Sequence, residues 1–263
     1  MQHPIFLFSA GWRSGSTLLQ RMITASGKSL IWGEGGGALN HLSDAWQAYS
    51  QMLGEGGQRF KFGYGGNGLA QYEEFCKLGK DGVNKWIASM NVPHDIFLSA
   101  YREFFERIYA IPARAQGYEG WGVKEVQSGL ETANFLKLLY PEAKFIFLVR
   151  HPLSCLLSIK RRNWLDEADS TYALKHYSRH WCALAKEFRQ ADFGFLVTYE
   201  KLLSEPEQME RLASYLGLKH LKQDFFDNSH ADWAASHDEV LTYMEKRRIL
   251  KIVSGEMAEH GYV

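Results

Sequence analysis

Cysteine is scarce in this sequence, and its positions are far apart. The three cysteines, Cys76, Cys155 and Cys182, are odd in number and show no short spacing between neighbours. They therefore fit neither a disulfide framework nor a zinc site. Free cysteines are typical of a reducing compartment, so we expect a cytoplasmic protein.

A long apolar run and an excess of charge are also missing. The apolar run at residues 4–11 is much shorter than the about 20 residues that cross a membrane, and no basic flank marks it as a signal peptide. Lys plus Arg and Asp plus Glu number 30 each, so no global field favours nucleic acid or an acidic membrane as partner. We expect no membrane span, no nucleic-acid partner and, at most, a local anion site.

Short apolar runs alternate with helical patterns along the 263 residues. Predicted strands cover residues 5–9, 29–32, 120–126, 144–150 and 194–199, and predicted helices cover 131–139, 153–163, 170–190, 207–216 and 238–259. This alternation is typical of a parallel sheet covered on both faces. We predict one α/β domain over residues 1–263, a P-loop-containing three-layer sandwich with a central parallel sheet flanked by helices. Within it, 40–115 form a helical insertion, and the Gly-rich stretch 54–68 resembles a mobile lid.

The first predicted strand leads into a loop rich in glycine and hydroxyl groups, Ser-Ala-Gly-Trp-Arg-Ser-Gly-Ser-Thr at residues 9–17. Backbone amides at the start of a helix attract anions, so the position suits a phosphate. Gly15 and Thr17 match the end of the triphosphate-binding pattern G-x-x-x-x-G-K-[ST], but Ser16 replaces its lysine. Arg13 is the cation that the loop offers instead. Taken alone, the loop could equally be a turn that caps a helix.

A second strand-to-helix junction adds an arginine and a hydroxyl group. Arg150 ends the most continuous apolar strand, and Ser158 and Arg162 follow within the next predicted helix. Residues four apart share a helix face, and ligands of open α/β sheets bind beyond the carboxyl ends of the strands. Arg150 and Ser158 could thus clamp a second phosphate. A solvated basic helix face is the alternative.

These two elements together resemble the paired signatures of the PAPS-dependent sulfotransferases, where PAPS is 3′-phosphoadenosine-5′-phosphosulfate. The first is Gly-Trp-Arg-Ser-Gly-Ser-Thr-Leu-Leu at 11–19, and the second is Phe-Leu-Val-Arg-His-Pro at 147–152 with Ser158. In that family the first element holds the 5′-phosphosulfate and the second the 3′-phosphate. The resemblance implies in-line transfer of a sulfuryl group from PAPS to an acceptor hydroxyl or, less readily, an amine.

The resemblance also implies roles for individual residues. The implied PAPS-binding residues are Arg13, Ser14, Gly15, Ser16, Thr17, Leu18, Arg150, Ser158, Arg162 and Tyr199. Of these, Tyr199 opens a segment, Tyr-Glu-Lys-Leu-Leu, whose tyrosine lies by the adenine in the family. No Arg-Lys-Gly segment like that of cytosolic sulfotransferases stands near residue 263, so the role of the tail in PAPS binding stays open.

The catalytic base is implied by a narrower similarity. Glu34 stands in a Gly-Glu pair that follows Arg13 at about the distance found in the tyrosylprotein sulfotransferases, whose glutamate is the base. Lys124, in Trp-Gly-Val-Lys-Glu at 121–125, matches a lysine that stabilises the transferring group together with Arg13. His41 is the rival base, because histidine titrates near neutral pH.

Two other functions remain open at this point. A P-loop kinase acting on a small molecule would need a loop lysine and a magnesium-binding carboxylate, and neither stands in the motifs; we therefore expect no metal ion. A regulatory module that binds an adenylate without catalysis would not need Glu34 or Lys124. The acceptor stays undetermined among small molecules, carbohydrates and natural products, although abundant aromatic residues and neutral charge favour an uncharged, ring-containing one, bound by residues 40–115.

Overall fold

The computed structural model of the protein describes residues 3–53, 68–85, 91–164, 170–222 and 241–262. They divide into two compact units, one formed by 1–37 with 112–263 and the other by 38–111. The predicted lid lies almost entirely outside the described residues, apart from Gly68, which begins a helix.

Five strands among the described residues form one sheet in the first unit. They are β1 (Ile5–Ser9), β2 (Ser29–Trp32), β3 (Gly120–Glu125), β4 (Lys144–Val149) and β5 (Phe195–Thr198). The spatial order is β2-β3-β1-β4-β5, and every neighbouring pair is parallel. The predicted α/β class with a central parallel sheet flanked by helices is confirmed.

The described helices connect and cover these strands. In chain order they are α1 (Ser16–Ala25), α2 (Ala38–Leu53), α3 (Gly68–Leu78), α4 (His94–Phe105), α5 (Ile111–Ala115), α6 (Leu130–Leu139), α7 (Pro152–Arg161), α8 (Ser170–Gln190), α9 (Tyr199–Ser204), α10 (Pro206–Leu216) and α11 (Tyr243–Glu259). A 3-10 turn at Gly79–Lys85 follows α3, and a π-turn at Glu106–Ala110 separates α4 from α5. No helix among them is long and apolar enough to span a membrane.

Strand β1 lies at the centre of the core because all its side chains are apolar or small and buried. Successive side chains of a strand point to opposite faces of the sheet. Leu7 therefore packs with Met22 of α1 and Leu212 of α10 on one face. On the other face, Phe8 contacts the ring of Phe147, with ring centroids 5.9 Å apart. The sheet is thus buried on both faces, which explains the uninterrupted apolar strands.

Three predicted boundaries need correction. Helix α7 begins at Pro152 rather than after it. Proline fits the first position of a helix because the backbone N–H that it lacks would have no partner within the helix. Strand β5 ends at Thr198, and Tyr199 already begins α9. Helix α11 was predicted from residue 238 but begins at Tyr243, because Thr242 caps it in a capping box with Glu245.

The second unit contains an aromatic cluster on α2 and α4. The rings of Tyr49 and Phe97 stack with centroids 3.9 Å apart, and Tyr101 lies 4.9 Å from Phe97. Trp46 also packs against Phe97, at 5.9 Å. Helix α2 lies mostly within residues 40–115, which we predicted to be a helical insertion, although no separate helix was predicted at its position. The assignment of residues 40–115 as an acceptor-binding insertion stays a prediction.

Candidate active site

Most of the predicted site residues in the first unit lie at or just beyond the carboxyl ends of neighbouring strands. The loop after β1 occupies the middle, because β1 is the central strand. Arg150 follows β4 on one side of it, whereas Lys124 of β3 and Glu34, after β2, lie on the other. Strand order alone thus brings together residues that are far apart in the sequence.

The loop between β1 and α1 has an unusual backbone. Gly11, Arg13 and Gly15 have φ angles of 92°, 60° and 89°, a region that residues other than glycine rarely adopt. A methyl group added to Gly15 would overlap the ring of Tyr199. Gly15 is also the N-cap of α1 and has no side chain to occupy the amides of the first turn. These amides are therefore available to an anion.

Arg13, Arg150 and Ser158 form one hydrogen-bonded group. The Arg13 side chain donates from Nε to Ser158 Oγ at 2.9 Å, and Arg150 donates from Nη1 to the Arg13 carbonyl at 3.0 Å. The contact through the carbonyl holds Arg13 in its left-handed conformation. Arg150 and Ser158 are only 8% and 5% exposed, so their bonds are shielded from water.

Positive charge is concentrated around this group. Burial, and then the charges of Arg162 and Arg150, lower the pKa of Arg13. Three guanidinium groups that repel one another create a strong local preference for an anion. This concentration arises in a chain whose net charge is zero.

Two aromatic rings flank the guanidinium groups. The ring of Tyr199 lies 4.3 Å from Arg150 Cζ, and that of Trp164 lies 5.3 Å from Arg13 Cζ. Tyr199 is buried, whereas Trp164 is exposed. Both distances are within the range of cation–π attraction, so the rings help to fix the orientation of the two arginines.

Lys124 and Glu34 form an ion pair on the other side of β1. Lys124 Nζ lies 2.5 Å from Glu34 Oε1, and the two side chains are 5% and 39% exposed. The next residue along β3, Glu125, accepts a hydrogen bond from the Gly35 amide at 3.3 Å. Burial raises the pKa of Glu125. The positive charge of Lys124 is therefore buried, whereas the Glu34 carboxylate that pairs with it is partly exposed to solvent.

The remaining predicted residues have different surroundings. Ser14 of the loop and Ser16, the first residue of α1, are both buried, and the Ser14 hydroxyl lies 2.5 Å from that of Ser9. Thr17 is exposed on α1, and Leu18 packs against the core.

Arg162 and His41 are both exposed. Helix α7 ends at Arg161, so Arg162 is its C-cap rather than a residue of the predicted helix, and its charge lowers the pKa of Arg13. His41 belongs to the second unit, its side chain is 85% exposed, and its Nδ1 lies 4.0 Å from the Asp44 carboxylate.

Three contacts of the site have no counterpart in the sequence predictions. They involve Trp164 above Arg13, Glu125 at the Gly35 amide, and Tyr177, whose hydroxyl donates to the Trp12 carbonyl at 2.8 Å. Glu125 adjoins Lys124 in the sequence and could have been noticed there. Trp164 and Tyr177 meet the loop only through tertiary packing. Among the residues described, no three His, Cys, Asp or Glu side chains converge as a metal site would require.

The comparison with solved structures shows the fold. A sulfotransferase domain from the curacin biosynthetic pathway matches 97% of this chain and 97% of its own, at 19% identity and a TM-score of 0.50. A sulfotransferase from Alicyclobacillus acidocaldarius matches 98% of this chain and 94% of its own, at 15% identity and a TM-score of 0.49. A sulfotransferase domain from the Synechococcus PCC 7002 olefin synthase matches 97% and 96%, at 16% identity and 0.45.

The comparison of sequences shows the family. No curated protein sequence matches this chain at a significant level. The model of the sulfotransferase family, however, matches residues 4–222, which include both strand-to-helix junctions and the Lys124–Glu34 pair. Because this match spans far more than half of the 263 residues and the fold agrees with it, the chain belongs to the sulfotransferase family and is an enzyme of that family.

Proposed function

We propose that this enzyme transfers a sulfuryl group from PAPS to a hydroxyl group of a small-molecule or carbohydrate acceptor. The observation that carries the proposal is the bonded group of Arg13, Arg150 and Ser158, which brings the two sequence motifs into hydrogen-bond contact. An enzyme that uses ATP needs no second phosphate site beside the loop. An enzyme whose donor carries a 3′-phosphate needs one to bind that group.

The donor set fits PAPS in charge and in arrangement. Arg150 and Ser158 would hold the 3′-phosphate by charge-assisted hydrogen bonds. Arg13 and Arg162 would add positive charge, since the charge of Arg162 already lowers the pKa of Arg13. The 5′-phosphate would take the loop amides and the hydroxyls of 14–17, next to Leu18 at the start of α1. Tyr199 would lie beside the adenine and at the same time hold Arg150 and Gly15 in place.

Lys124 and Glu34 would act where the sulfuryl group is transferred. PAPS, when bound, supplies a sulfuryl group attached to a phosphate leaving group. Lys124 would place a fixed positive charge opposite oxygens that become more negative in the transition state. Glu34 would accept the proton of the acceptor hydroxyl, directly or through one water. The 2.5 Å contact between them supports this division, because it puts a base and an electrophilic group within one hydrogen bond.

The second unit is the proposed acceptor-binding part. It lies outside the motifs for the donor, and its cluster of Trp46, Tyr49, Phe97 and Tyr101 offers flat apolar surfaces. Aromatic side chains combine a large contact area with little conformational freedom. They support a ring-containing, uncharged acceptor.

The donor is tested by binding and then by transfer. Isothermal titration should show that adenosine 3′,5′-bisphosphate, the product that PAPS leaves behind, binds far more tightly than adenosine 5′-monophosphate. Acceptor candidates are then incubated with radiolabelled PAPS in EDTA, and products are identified by mass. Transfer of label supports the proposal. Phosphate transfer from ATP that depends on magnesium would identify a kinase instead, and equal affinity for the two nucleotides would refute the 3′-phosphate site.

A further inference from the structure

The backbone that carries Arg150 is held by side chains from three other segments, which are α8, α9 and the residues that follow α11. Its own carbonyl accepts a hydrogen bond from Trp181 Nε1 of α8 at 3.0 Å. The next amide, that of His151, donates to Glu200 Oε1 of α9 at 3.0 Å. The preceding carbonyl, that of Val149, lies 3.3 Å from the hydroxyl of Tyr262. Three consecutive residues at the tip of β4 are thus fixed by side-chain contacts.

Glu200 joins two of these contacts. While Oε1 accepts from the His151 amide, Oε2 accepts from the Tyr262 hydroxyl at 2.8 Å. Burial and the charge of Glu200 raise the pKa of Tyr262, so its hydroxyl stays protonated and donates. A hydrogen bond to a carboxylate is shorter and stronger than one between neutral groups. Tyr262 therefore sets the orientation of Glu200, and Glu200 that of the strand tip.

The end of α11 determines where Tyr262 lies. Gly261 has a φ of 76°, and the amides of Gly261 and Tyr262 donate to the carbonyls of Ala258 and Met257 at 3.0 and 2.9 Å. This is a Schellman motif, which turns the chain sharply at the end of a helix. The turn brings the Tyr262 ring against His151, with centroids 5.2 Å apart.

Helix α11 is itself fastened to the unit that carries the site. Lys160 of α7 contacts both carboxylate oxygens of Glu245 at 2.8 Å. Arg189 of α8 contacts Glu256 at 2.9 Å. The helix therefore has a defined position relative to the tip of β4. It also lies outside residues 4–222, the part that the family model matches.

We propose that Tyr262, acting through Glu200, is a positioning residue for Arg150, so that α11 completes the 3′-phosphate site. This inference rests on the proposed function, in which Arg150 binds that phosphate. Arg150 is packed between the Tyr199 ring and the Arg13 carbonyl, so the place of its guanidinium depends on where the tip of β4 lies. A shift of the strand tip would displace the donors from the phosphate, and misplacement by about 1 Å is costly for bound groups.

The test compares two tyrosine hydroxyls that both contact β4. Tyr262→Phe removes the one at the tip of the strand. Tyr215→Phe removes a hydroxyl that accepts from the Phe145 amide at 3.1 Å, near the start of the same strand, and serves as the control. For each purified full-length variant, isothermal titration gives the affinity for adenosine 3′,5′-bisphosphate and for adenosine 5′-monophosphate, and thermal unfolding gives the stability.

Tyr262→Phe should weaken binding of the bisphosphate about 10-fold, the effect of one hydrogen bond to a charged group, and leave the affinity for the monophosphate unchanged. Glu200→Gln should also weaken binding of the bisphosphate. In an Arg150→Ala background, Tyr262→Phe should have no further effect, since residues that act through one another are not additive. Tyr215→Phe should lower stability without changing the ratio of the two affinities.

The possible failures are distinguishable. Suppose that the wild type binds the bisphosphate more tightly than the monophosphate. If Tyr262→Phe leaves the ratio of the two affinities unchanged, whether or not both affinities fall, the positioning role is refuted and the donor proposal stands. If Tyr262→Phe has its full effect without Arg150, the role is also refuted. If wild type does not distinguish the two nucleotides, the proposed function fails and this inference fails with it.

Discussion

Replacement of Arg150 by alanine tests the 3′-phosphate site most directly. Arg150 is 8% exposed and holds the Arg13 carbonyl at 3.0 Å, so its removal takes away both a ligand and a support of the loop. A hydrogen bond to a charged group contributes about 1.5–3 kcal/mol, and a bidentate contact to phosphate lies at the upper end. At about 1.4 kcal/mol for each tenfold change, we expect roughly 100-fold weaker binding of adenosine 3′,5′-bisphosphate.

The assay is isothermal titration with the bisphosphate and with adenosine 5′-monophosphate. The affinity for the monophosphate should fall only a few-fold, since this nucleotide lacks the 3′-phosphate that Arg150 is proposed to bind. Arg150→Lys is the matched control: it keeps the charge but not the planar fork that reaches the Arg13 carbonyl and stacks on Tyr199. It should fall between wild type and alanine. Equal losses for both nucleotides would show that Arg150 only supports the fold.

Three further variants test the loop, the base and the buried carboxylate. Gly15→Ala places a side chain at a φ of 89° against the Tyr199 ring, so stability in urea should fall by about 1–2 kcal/mol or more; unchanged stability would contradict the loop geometry. Glu34→Gln should lower turnover by about 10²–10⁴-fold with bisphosphate affinity unchanged. Near-normal turnover for it, together with loss of turnover in a folded His41→Ala, would make His41 the base. Burial raises the pKa of Glu125 above its ordinary value of 4.5, so the folded state binds this proton more tightly than the unfolded state. The free energy of unfolding of the wild type should therefore fall as pH rises from about 4.5 through the higher pKa of the folded state. Glu125→Gln removes this loss, so its stability relative to wild type should increase with pH; a difference independent of pH would contradict it.

The strands that position the site were predictable from local sequence. β4 is a continuous apolar run that ends at His151-Pro152, and β1 ends at a loop marked by glycine and serine. Apolar continuity and these breaking residues act over a few positions, so they show in the sequence directly. The start of α11 was also marked locally, by the capping-box pattern of Thr242 and Glu245, although the helix was predicted to begin earlier. By contrast, Tyr199 begins α9 directly after β5, with no breaking residue between the two elements.

The site was predictable only as far as motifs reach. The two junctions were paired through their resemblance to a family, and the structure joins them by the bond from Arg13 to Ser158. The sequence suggested that Arg13 acts beside Lys124, which stays a prediction, but it did not indicate that the Arg13 side chain is bonded to Ser158, on the β4 side of the loop. The positions of Trp164 and Tyr262 depend on packing between distant segments. No local pattern records such contacts.

The position of β1 in the middle of the sheet separates two tasks that a group-transfer enzyme must adjust independently. In the proposed function, residues after β4 and β5 bind the donor, and Glu34 after β2 and Lys124 of β3 act in the transfer step. A substitution on one flank can therefore alter residence time without altering the chemical step, and the reverse holds for the other flank. Such a layout lets selection match turnover to a new acceptor while recognition of the donor is left intact.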